Sequence, residues 1–518
     1  MTLLVFDGSS FQRLFLLCCS FFAFSFAANS QLIATPQKID PYLQERIQTG
    51  LDAMYSMRYT DAARAFDDII VKYPTEPTGY FFRSQIHLWK FLFDYSDADY
   101  RLFLQMCDKA ISVAETSFKQ HPDNTFAQTI VGAVYGFRAV ANFRAENLVK
   151  AALDGRTCYT YLSAVQKQSP REFDAYLGLG MFHFFVAAMP SVVRSVANFA
   201  GLKGDLEGGL AEIRLAAEKS LWARNDATMF LAMINVYYKR DFAVGLRYLS
   251  ELNERYPQNV PVLYSLGNVE LFVRKPLSAL LYYRKVSEIA DTNFRAFSAF
   301  AHYRTGECYW RLNDFENAKK EFQQFFKGRY EKSFRGMALL RLALTYEMTG
   351  NRAEALKGYA KCATLTPFEP DDRFAIRRAK LYAQKPLEAS QIQLIKGING
   401  VESLRHSEAE VCLRPLTENT SLSAEIRAEA FYNLGESLRE QQRQTEAIVL
   451  YQKAIALQPA EERWLIPWSY YRIAEIHFNS GKRDLSRSFL EKAKVFNGYD
   501  FQEWLTFLME RDATLLKG

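Results

Sequence analysis

The 518-residue sequence has few cysteines and lacks the common motifs of metal, nucleotide and hydrolase sites. It holds seven cysteines, and those beyond residue 27 are scattered without CxxC spacing, which excludes a dense disulfide scaffold. HExxH, GxSxG, GxxxxGK[ST] and GxGxxG are all absent. We therefore expect no catalysis, no cofactor and no metal site, with Cys308 and Cys362 as buried thiols.

Long basic runs are also absent. The net charge of +6 is small for this length, so we expect no nucleic-acid partner. Hydrophobic residues make up 49% and charged residues 24%, which is typical of an ordered protein. The length exceeds what one hydrophobic core supports, so several domains or a repeat array are expected.

An apolar run of 14 residues, LFLLCCSFFAFSFA, occupies positions 14–27. Ser25 and Ala27 then provide the small residues of a cleavage site, and the run is short for a membrane span. We predict a signal peptide at 1–27 and an exported protein, periplasmic or otherwise associated with the cell envelope. The alternative is an uncleaved segment that anchors the protein in a membrane.

A helical hairpin is indicated by AEAFYNLGESLREQQRQTEAIVLYQKAIALQP, residues 428–459. Small residues allow two antiparallel helices to approach, so we expect Gly435 to face Ala447 and Tyr451 to point toward the next hairpin. Pro459 ends the second helix. The landmarks resemble those of the tetratricopeptide repeat, and they are Phe431, Leu434, Gly435, Leu438, Ala447, Tyr451, Ala454 and Pro459.

The same pattern recurs along the chain, with a small residue followed four positions later by an aromatic residue or leucine. At least seven such hairpins are visible. The resemblance implies an all-α, tetratricopeptide-type solenoid of stacked antiparallel hairpins with an irregular helical N-terminal half. The predicted segments after the signal peptide are a first hairpin at 28–76, an irregular helical region at 77–224, a repeat array at 225–370, a degenerate repeat plus an extra helix near 371–384 within 371–427, and a final repeat pair and cap at 428–518.

The region 77–224 fits the repeat poorly, although 101–120 and 124–150 still read as helices. It contains GLKGDLEGGL at 201–210. A phosphate loop is not favoured because no phosphate-binding motif is present. Membrane contact by the apolar stretch 179–203 stays open, although His183, Pro190, Arg194 and Asn198 interrupt it.

A sharp corner between buried helices is the interpretation we favour for this region. Gly178 and Gly180 allow close approach, and Pro190 ends the apolar helix. Gly201 and Gly204 are expected at a helix C-cap and a tight turn with positive φ. Asp205 caps a helix that starts near Leu210, with Gly209 part of the same corner.

Residues 178–220 also resemble the characteristic segment of the tetratricopeptide repeat protein 39 and yeast inclusion-body-clearance family. Both have a G-x-G-x-F helix, a helix broken by proline, and a G-x-x-G-D-x-x-x-G-L turn. The resemblance implies a helical segment docked against a repeat array in a non-enzymatic adaptor. Eukaryotic members are intracellular, whereas this chain carries a predicted export signal, so only the architecture is carried over.

First helices line the concave face of such arrays. Arginine and tyrosine recur at the inward positions and suit a peptide that is extended or ends in a carboxylate. The alternative is that these residues brace neighbouring hairpins through Glu307, Glu436 and Glu475. The predicted peptide-groove residues are Tyr303, Arg304, Trp310, Arg341, Tyr432, Asn433, Arg439, Tyr471, Arg472 and Phe478.

The sequence therefore predicts an exported scaffold that binds a protein or peptide partner. The alternative is an envelope- or lipid-associated assembly factor whose segment 179–203 makes peripheral membrane contact.

Overall fold

A computed structural model describes residues 40–94, 96–120, 123–189, 203–290, 294–328 and 333–515. The predicted signal peptide, Pro190 and Gly201 lie outside these ranges. In the described residues the elements are 24 α-helices and one π-helical turn, so the all-α prediction is confirmed.

The described residues form two compact units. The N-terminal unit comprises residues 40–266 together with Ile289–Phe297, and the C-terminal unit comprises Gly267–Glu288 and the residues from 298 onward. The predicted segments 28–76 and 77–224 contribute all their described residues to the N-terminal unit, while 371–427 and 428–518 lie in the C-terminal unit.

Among the described residues, ten helices precede residue 260, with a π-helical turn at Ile234–Lys239 after the ninth. They are α1 (Pro41–Tyr55), α2 (Tyr59–Lys72), α3 (Pro77–Asp94), α4 (Asp97–Gln120), α5 (Thr125–Arg144), α6 (Leu148–Gln168), α7 (Ala175–Ala188), α8 (Leu206–Lys219), α9 (Arg224–Met233) and α10 (Phe242–Arg255).

Fourteen helices follow in the described part of the chain beyond residue 259, and the first three contribute residues to both units. They are α11 (Val260–Phe272), α12 (Pro276–Ala290), α13 (Arg295–Arg311), α14 (Phe315–Lys327), α15 (Arg335–Met348), α16 (Arg352–Ala363), α17 (Pro370–Gln384), α18 (Ala389–Val401), α19 (His406–Glu418), α20 (Ala424–Glu440), α21 (Gln444–Ala456), α22 (Leu465–Asn479), α23 (Arg483–Lys494) and α24 (Gln502–Leu515).

In the described ranges, eight hairpins share one backbone turn. After the first helix, a residue with positive φ is followed by a residue whose N–H donates to the carbonyl five positions earlier, at 2.7–2.9 Å. This is the hydrogen bond of a Schellman motif. The positive-φ residues are Met57, Glu146, Arg274, Asn313, Gly350, Leu404, Gln442 and Gly481.

Glycine in the first helix of a hairpin lies against an aromatic ring of the second. A Cβ on Gly435 would lie 2.8 Å from Tyr451, and one on Gly306 would lie 2.7 Å from Phe322. The expectation that Gly435 faces Ala447 while Tyr451 points to the next hairpin is therefore wrong. The buried ring fills the space that its own hairpin leaves at the glycine.

The helix predicted at 124–150 is also wrong, because the chain turns within it. α5 ends at Arg144, Glu146 has φ 61°, and α6 begins at Leu148. Gly132 of α5 faces Leu162 of α6, where an added Cβ would lie 2.4 Å from the leucine Cδ2. This pair forms a hairpin of the same kind, with leucine in the place of the aromatic residue.

Other expectations agree with the structure. α17 lies where the extra helix near 371–384 was predicted, and α18 and α19 form the hairpin that contains Ala409. Cys308 and Cys362 are fully buried free thiols, as predicted.

Candidate functional site

The glycine-rich corner joins α7 and α8 by direct backbone contact. A Cβ on Gly180 would lie 2.6 Å from the carbonyl oxygen of Gly209, and one on Gly209 would lie 2.5 Å from the backbone nitrogen of Phe184. Gly178 instead lies against the side chain of Leu162. A Cβ added at position 178 would lie 2.3 Å from the leucine Cδ1. The predicted close approach at Gly178 and Gly180 is confirmed.

Gly204 plays a different part from the one predicted. It is not among the described residues with positive φ, so it does not provide a left-handed turn. Its Cβ would instead lie 2.1 Å from the backbone nitrogen of Ala187, because the chain passes directly over the end of α7. Asp205 caps the next helix as predicted, accepting from the Gly208 N–H at 2.9 Å, but that helix begins at Leu206 rather than near Leu210.

The apolar side chains of α7 pack inside the N-terminal unit, where Phe184, Phe185 and Val186 are buried. Among the described helices, none combines the length and apolar character needed to cross a membrane. The rest of the predicted membrane-contacting stretch, residues 190–202, lies outside the described residues.

An ion pair closes one side of the corner. His183 Nδ1 of α7 lies 2.7 Å from Glu212 Oε2 of α8, and the two side chains are about one-fifth exposed. The hydrogen bond and the charge of Glu212 raise the pKa of His183 above its usual value. The corner is thus held by backbone contact and by one pair that is strongest when the histidine is protonated.

In the C-terminal unit, three arginines surround the buried carboxylate of Glu436. Arg274 Nη2 lies 2.7 Å from the Glu436 carboxylate, Arg472 Nε lies 3.0 Å from it, and Arg439 Nη2 lies 3.3 Å from it. The Tyr451 hydroxyl also donates to it at 2.6 Å. We call these residues the Glu436 cluster; it ties together the end of α11 and the helices α20, α21 and α22.

Electrostatics keep the Glu436 carboxylate ionised. Burial alone would raise its pKa, but the guanidinium groups of Arg439, Arg472 and Arg274 hold the pKa well below its usual range. The same balance acts at Glu462, where burial opposes Arg378 and Arg377, and the pKa falls to about 2. Removing one partner from such a buried group leaves an uncompensated charge.

Six of the predicted groove residues are buried, so the prediction that they face a peptide is wrong for them. They pack instead on neighbouring helices: Tyr303 stacks on Phe334 at 4.7 Å between ring centroids, and the Tyr471 hydroxyl donates to Asp512 at 2.9 Å. The six are Tyr303, Arg304, Trp310, Tyr432, Asn433 and Tyr471.

The partly exposed groove residues are Arg341, Arg439, Arg472 and Phe478. Arg341 Nε lies 3.0 Å from Glu307, and its guanidinium lies over the Trp310 ring at 4.6 Å. Arg472 contacts both Glu436 and Glu475. These contacts are the ones named in the alternative, in which the arginines brace neighbouring hairpins.

An open groove of about 390 Å³ lies elsewhere in the C-terminal unit, between α19, α20 and α21. Sequence reasoning missed it, because it considered only the inward face of the first helices. The apolar floor consists of Phe431, Leu434, Leu438 and Leu450. The charged residues of its walls are Glu410, Arg414 and Glu418 on α19, with Arg443, Glu446 and Lys453 at α21.

Most of these wall charges are already paired. Arg414 pairs with Glu410, and Arg443 pairs with Glu446 at 2.6 Å. Within the described part of the chain, neither Glu418 nor Lys453 has an ion-pair partner, and the Lys453 ammonium lies 5.6 Å from the centre of the Phe431 ring. In the same part of the chain, no three His, Cys, Asp or Glu side chains are grouped so that they could hold a metal ion.

Comparison with models of known families identifies repeats in several of the segments that carry the sequence landmarks. Models of the tetratricopeptide repeat match residues 300–327, 337–365, 428–461 and 469–494. The chain contains tetratricopeptide repeats. The match at 428–461 includes α21 and all of α20 after its first four residues, and therefore most of the residues that line the open groove. Arrays of such repeats present extended surfaces to protein partners, which favours a protein-interaction scaffold.

Several solved structures are distantly similar to the chain. Yeast Tom70 matches with 13% identity over 87% of this chain and 99% of its own, at a TM-score of 0.29. A tetratricopeptide repeat protein from Parabacteroides merdae matches with 14% identity over 55% and 98%, at 0.25. The Cut9–Hcn1 hetero-tetramer of the APC/C matches with 13% over 92% and 96%, at 0.23. At these TM-scores the likeness carries no functional implication.

Proposed function

We propose that the chain is an exported, non-catalytic scaffold that binds a protein partner through its C-terminal unit. The observation that carries the proposal is the open groove with an apolar floor, formed by repeat helices that the Glu436 cluster holds in place. A surface made from braced helices is pre-organised, so binding loses little conformational entropy. Export is supported by the apolar run at 14–27 and the small residues Ser25 and Ala27.

Affinity capture of the tagged chain from its own cells tests this function, with and without prior removal of membranes. We expect a defined soluble partner in both preparations and an N-terminus at Ala28 in the captured chain. The matched variants Val449→Glu, in the groove wall, and Val71→Glu, on an exposed face of α2, locate the surface.

The proposal predicts that Val449→Glu loses the partner and Val71→Glu keeps it. Recovery of the chain only with membranes would overturn it and favour the lipid-associated alternative. A captured chain that still begins at Met1 would overturn export by a cleaved signal peptide.

A further inference from the structure

The floor of the open groove presents one face of a helix. Phe431, Leu434 and Leu438 are spaced three and four residues apart on α20, and therefore lie in one row along it. Val449 of α21 borders this row and is 45% exposed. Single exposed apolar residues are ordinary, but a row inside a concave groove is a surface that another apolar row can cover.

The shape of the groove favours a helical occupant. Its floor and walls are helices, whose backbone groups are already hydrogen-bonded along their length, so they offer no strand edge to an extended peptide. An extended segment would leave many of its own backbone groups without partners against this floor. A helix satisfies those groups internally and presents apolar side chains at matching spacing.

The charged residues at one end of the groove indicate how an occupant would be oriented in it. α19 and α21 both run antiparallel to α20, so both end near the start of the floor, where Phe431 lies. Glu418 ends one wall there, and Lys453 lies on the other. An occupant that complements this end has a cationic side chain on the flank facing α19 and an anionic side chain on the flank facing α21.

We propose that the open groove binds an amphipathic α-helix of a partner protein. Its apolar residues, at positions i, i+3 or i+4 and i+7, pack on the partly exposed Phe431 and Leu438, which flank the largely buried Leu434. A lysine or arginine on one flank pairs with Glu418, and an aspartate or glutamate on the other pairs with Lys453. This inference rests on the proposed function, since it names the kind of segment that the scaffold recognises.

Site-specific photocross-linking in the full chain tests the proposal. The groove position is Val449→p-benzoylphenylalanine, and the control is Val71→p-benzoylphenylalanine on an exposed face of the N-terminal unit. After irradiation of the source cells, the cross-linked segment of the partner is mapped by mass spectrometry. A synthetic peptide of that segment is then titrated against the full chain, and its helicity is followed by circular dichroism.

The expected segment has an apolar row at helical spacing and gains helicity on binding. Val449→Glu should weaken its binding about tenfold or more, because it places a charge beside the apolar floor. Lys453→Glu should weaken binding about threefold, and a peptide whose facing acid is changed to lysine should recover it. Both variants change exposed side chains, so the fold is expected to persist.

Several results would overturn the inference. They are a cross-linked segment that is proline-rich or extended, a cross-link to lipid, cross-linking at position 449 no stronger than at position 71, or equal affinity for Val449→Glu. If Val449→Glu still retains a protein partner in affinity capture, the scaffold function stands and the groove assignment fails. If neither variant nor the unmodified chain retains a partner, the scaffold function itself fails.

Discussion

The glycine-rich corner and the Glu436 cluster hold helices together in opposite ways. At the corner, α7 and α8 meet through backbone atoms because Gly180 and Gly209 have no side chains. At the cluster, α20 and α22 are linked by long charged side chains around one buried carboxylate. The first contact is sensitive to any added atom, and the second is sensitive to any lost charge. The N-terminal unit is therefore sensitive to an added side chain at the corner, and the C-terminal unit is sensitive to loss of a charge at the cluster.

Lowering the pH should produce the largest difference in stability between the corner and the Glu436 cluster. Glu436 and Glu462 have lowered pKa values in the folded chain, so their stabilising contribution is present above about pH 4.3, the usual value for glutamate. It is lost as the pH falls through the folded values, which for Glu462 is about 2. His183 has a raised pKa, so it is protonated throughout this acid range and its own titration does not weaken the corner.

Pepsin digestion between pH 5 and pH 2, followed by peptide mapping, measures this separation. We expect helices α20–α22 to become susceptible before α7 and α8, relative to the urea-unfolded chain at the same pH. Susceptibility of α7 and α8 first would contradict the comparison.

Loss of the central charge should have the next largest effect. Glu436→Ala leaves three arginines without their shared partner, and we expect a loss of about 3–5 kcal/mol in the free energy of unfolding. The control is Glu446→Ala, which removes a solvent-exposed pair with Arg443 and should lower the free energy of unfolding far less. Urea denaturation with tryptophan fluorescence measures both. Equal losses would show that the buried cluster adds no special stability.

An added methyl group should damage the corner. Gly209→Ala places a Cβ against the backbone of α7, which cannot move aside as a side chain could, and we expect a loss of about 2–3 kcal/mol. Gly155 of α6 has open space around its Cβ position. Gly155→Ala should therefore be neutral or stabilising by up to about 1 kcal/mol. The pair is compared by hydrogen exchange of α7 and α8, and a tolerated Gly209→Ala would remove the backbone-contact argument.

Substitution of a repeat glycine should cause an intermediate loss of stability, because its neighbour is an aromatic side chain rather than the backbone of another helix. Gly435→Ala should cost about 1 kcal/mol, since the methyl group displaces Tyr451 while the helix gains from alanine. In a Tyr451→Leu background, the same substitution should cost nothing. A double-mutant cycle measures this coupling, and an unchanged cost in both backgrounds would argue against the glycine–ring contact.

Much of the fold could be predicted because its hairpins follow a local pattern. The spacing of a small residue and an aromatic residue identified the hairpin at 428–459, and the extra helix near 371–384 also agrees with the structure. The hairpin of α5 and α6 was missed because Cys158, rather than alanine, glycine or serine, stands four positions before Leu162. Glu146, with positive φ, was also not recognisable as a turn, since it is not glycine.

The candidate site was harder to predict because it depends on distant contacts. The repeat pattern predicted that Tyr303 and Arg472 lie on inward faces, but it could not show how closely other helices approach these residues. Arg274 reaches Glu436 across 162 residues of sequence, and no local pattern encodes that distance. The open groove was missed for the same reason, since it is formed where three consecutive helices leave space between them.

The shared turn of the hairpins has a consequence for biosynthesis. Each turn is closed by a hydrogen bond over five residues, so it needs no contact with later parts of the chain. Local contacts form quickly, and chains fold from the N-terminus as they are made. A nascent chain can therefore close one hairpin after another while it emerges from the ribosome. The Glu436 cluster must wait until α22 has been synthesised, more than 400 residues after the first turn at Met57.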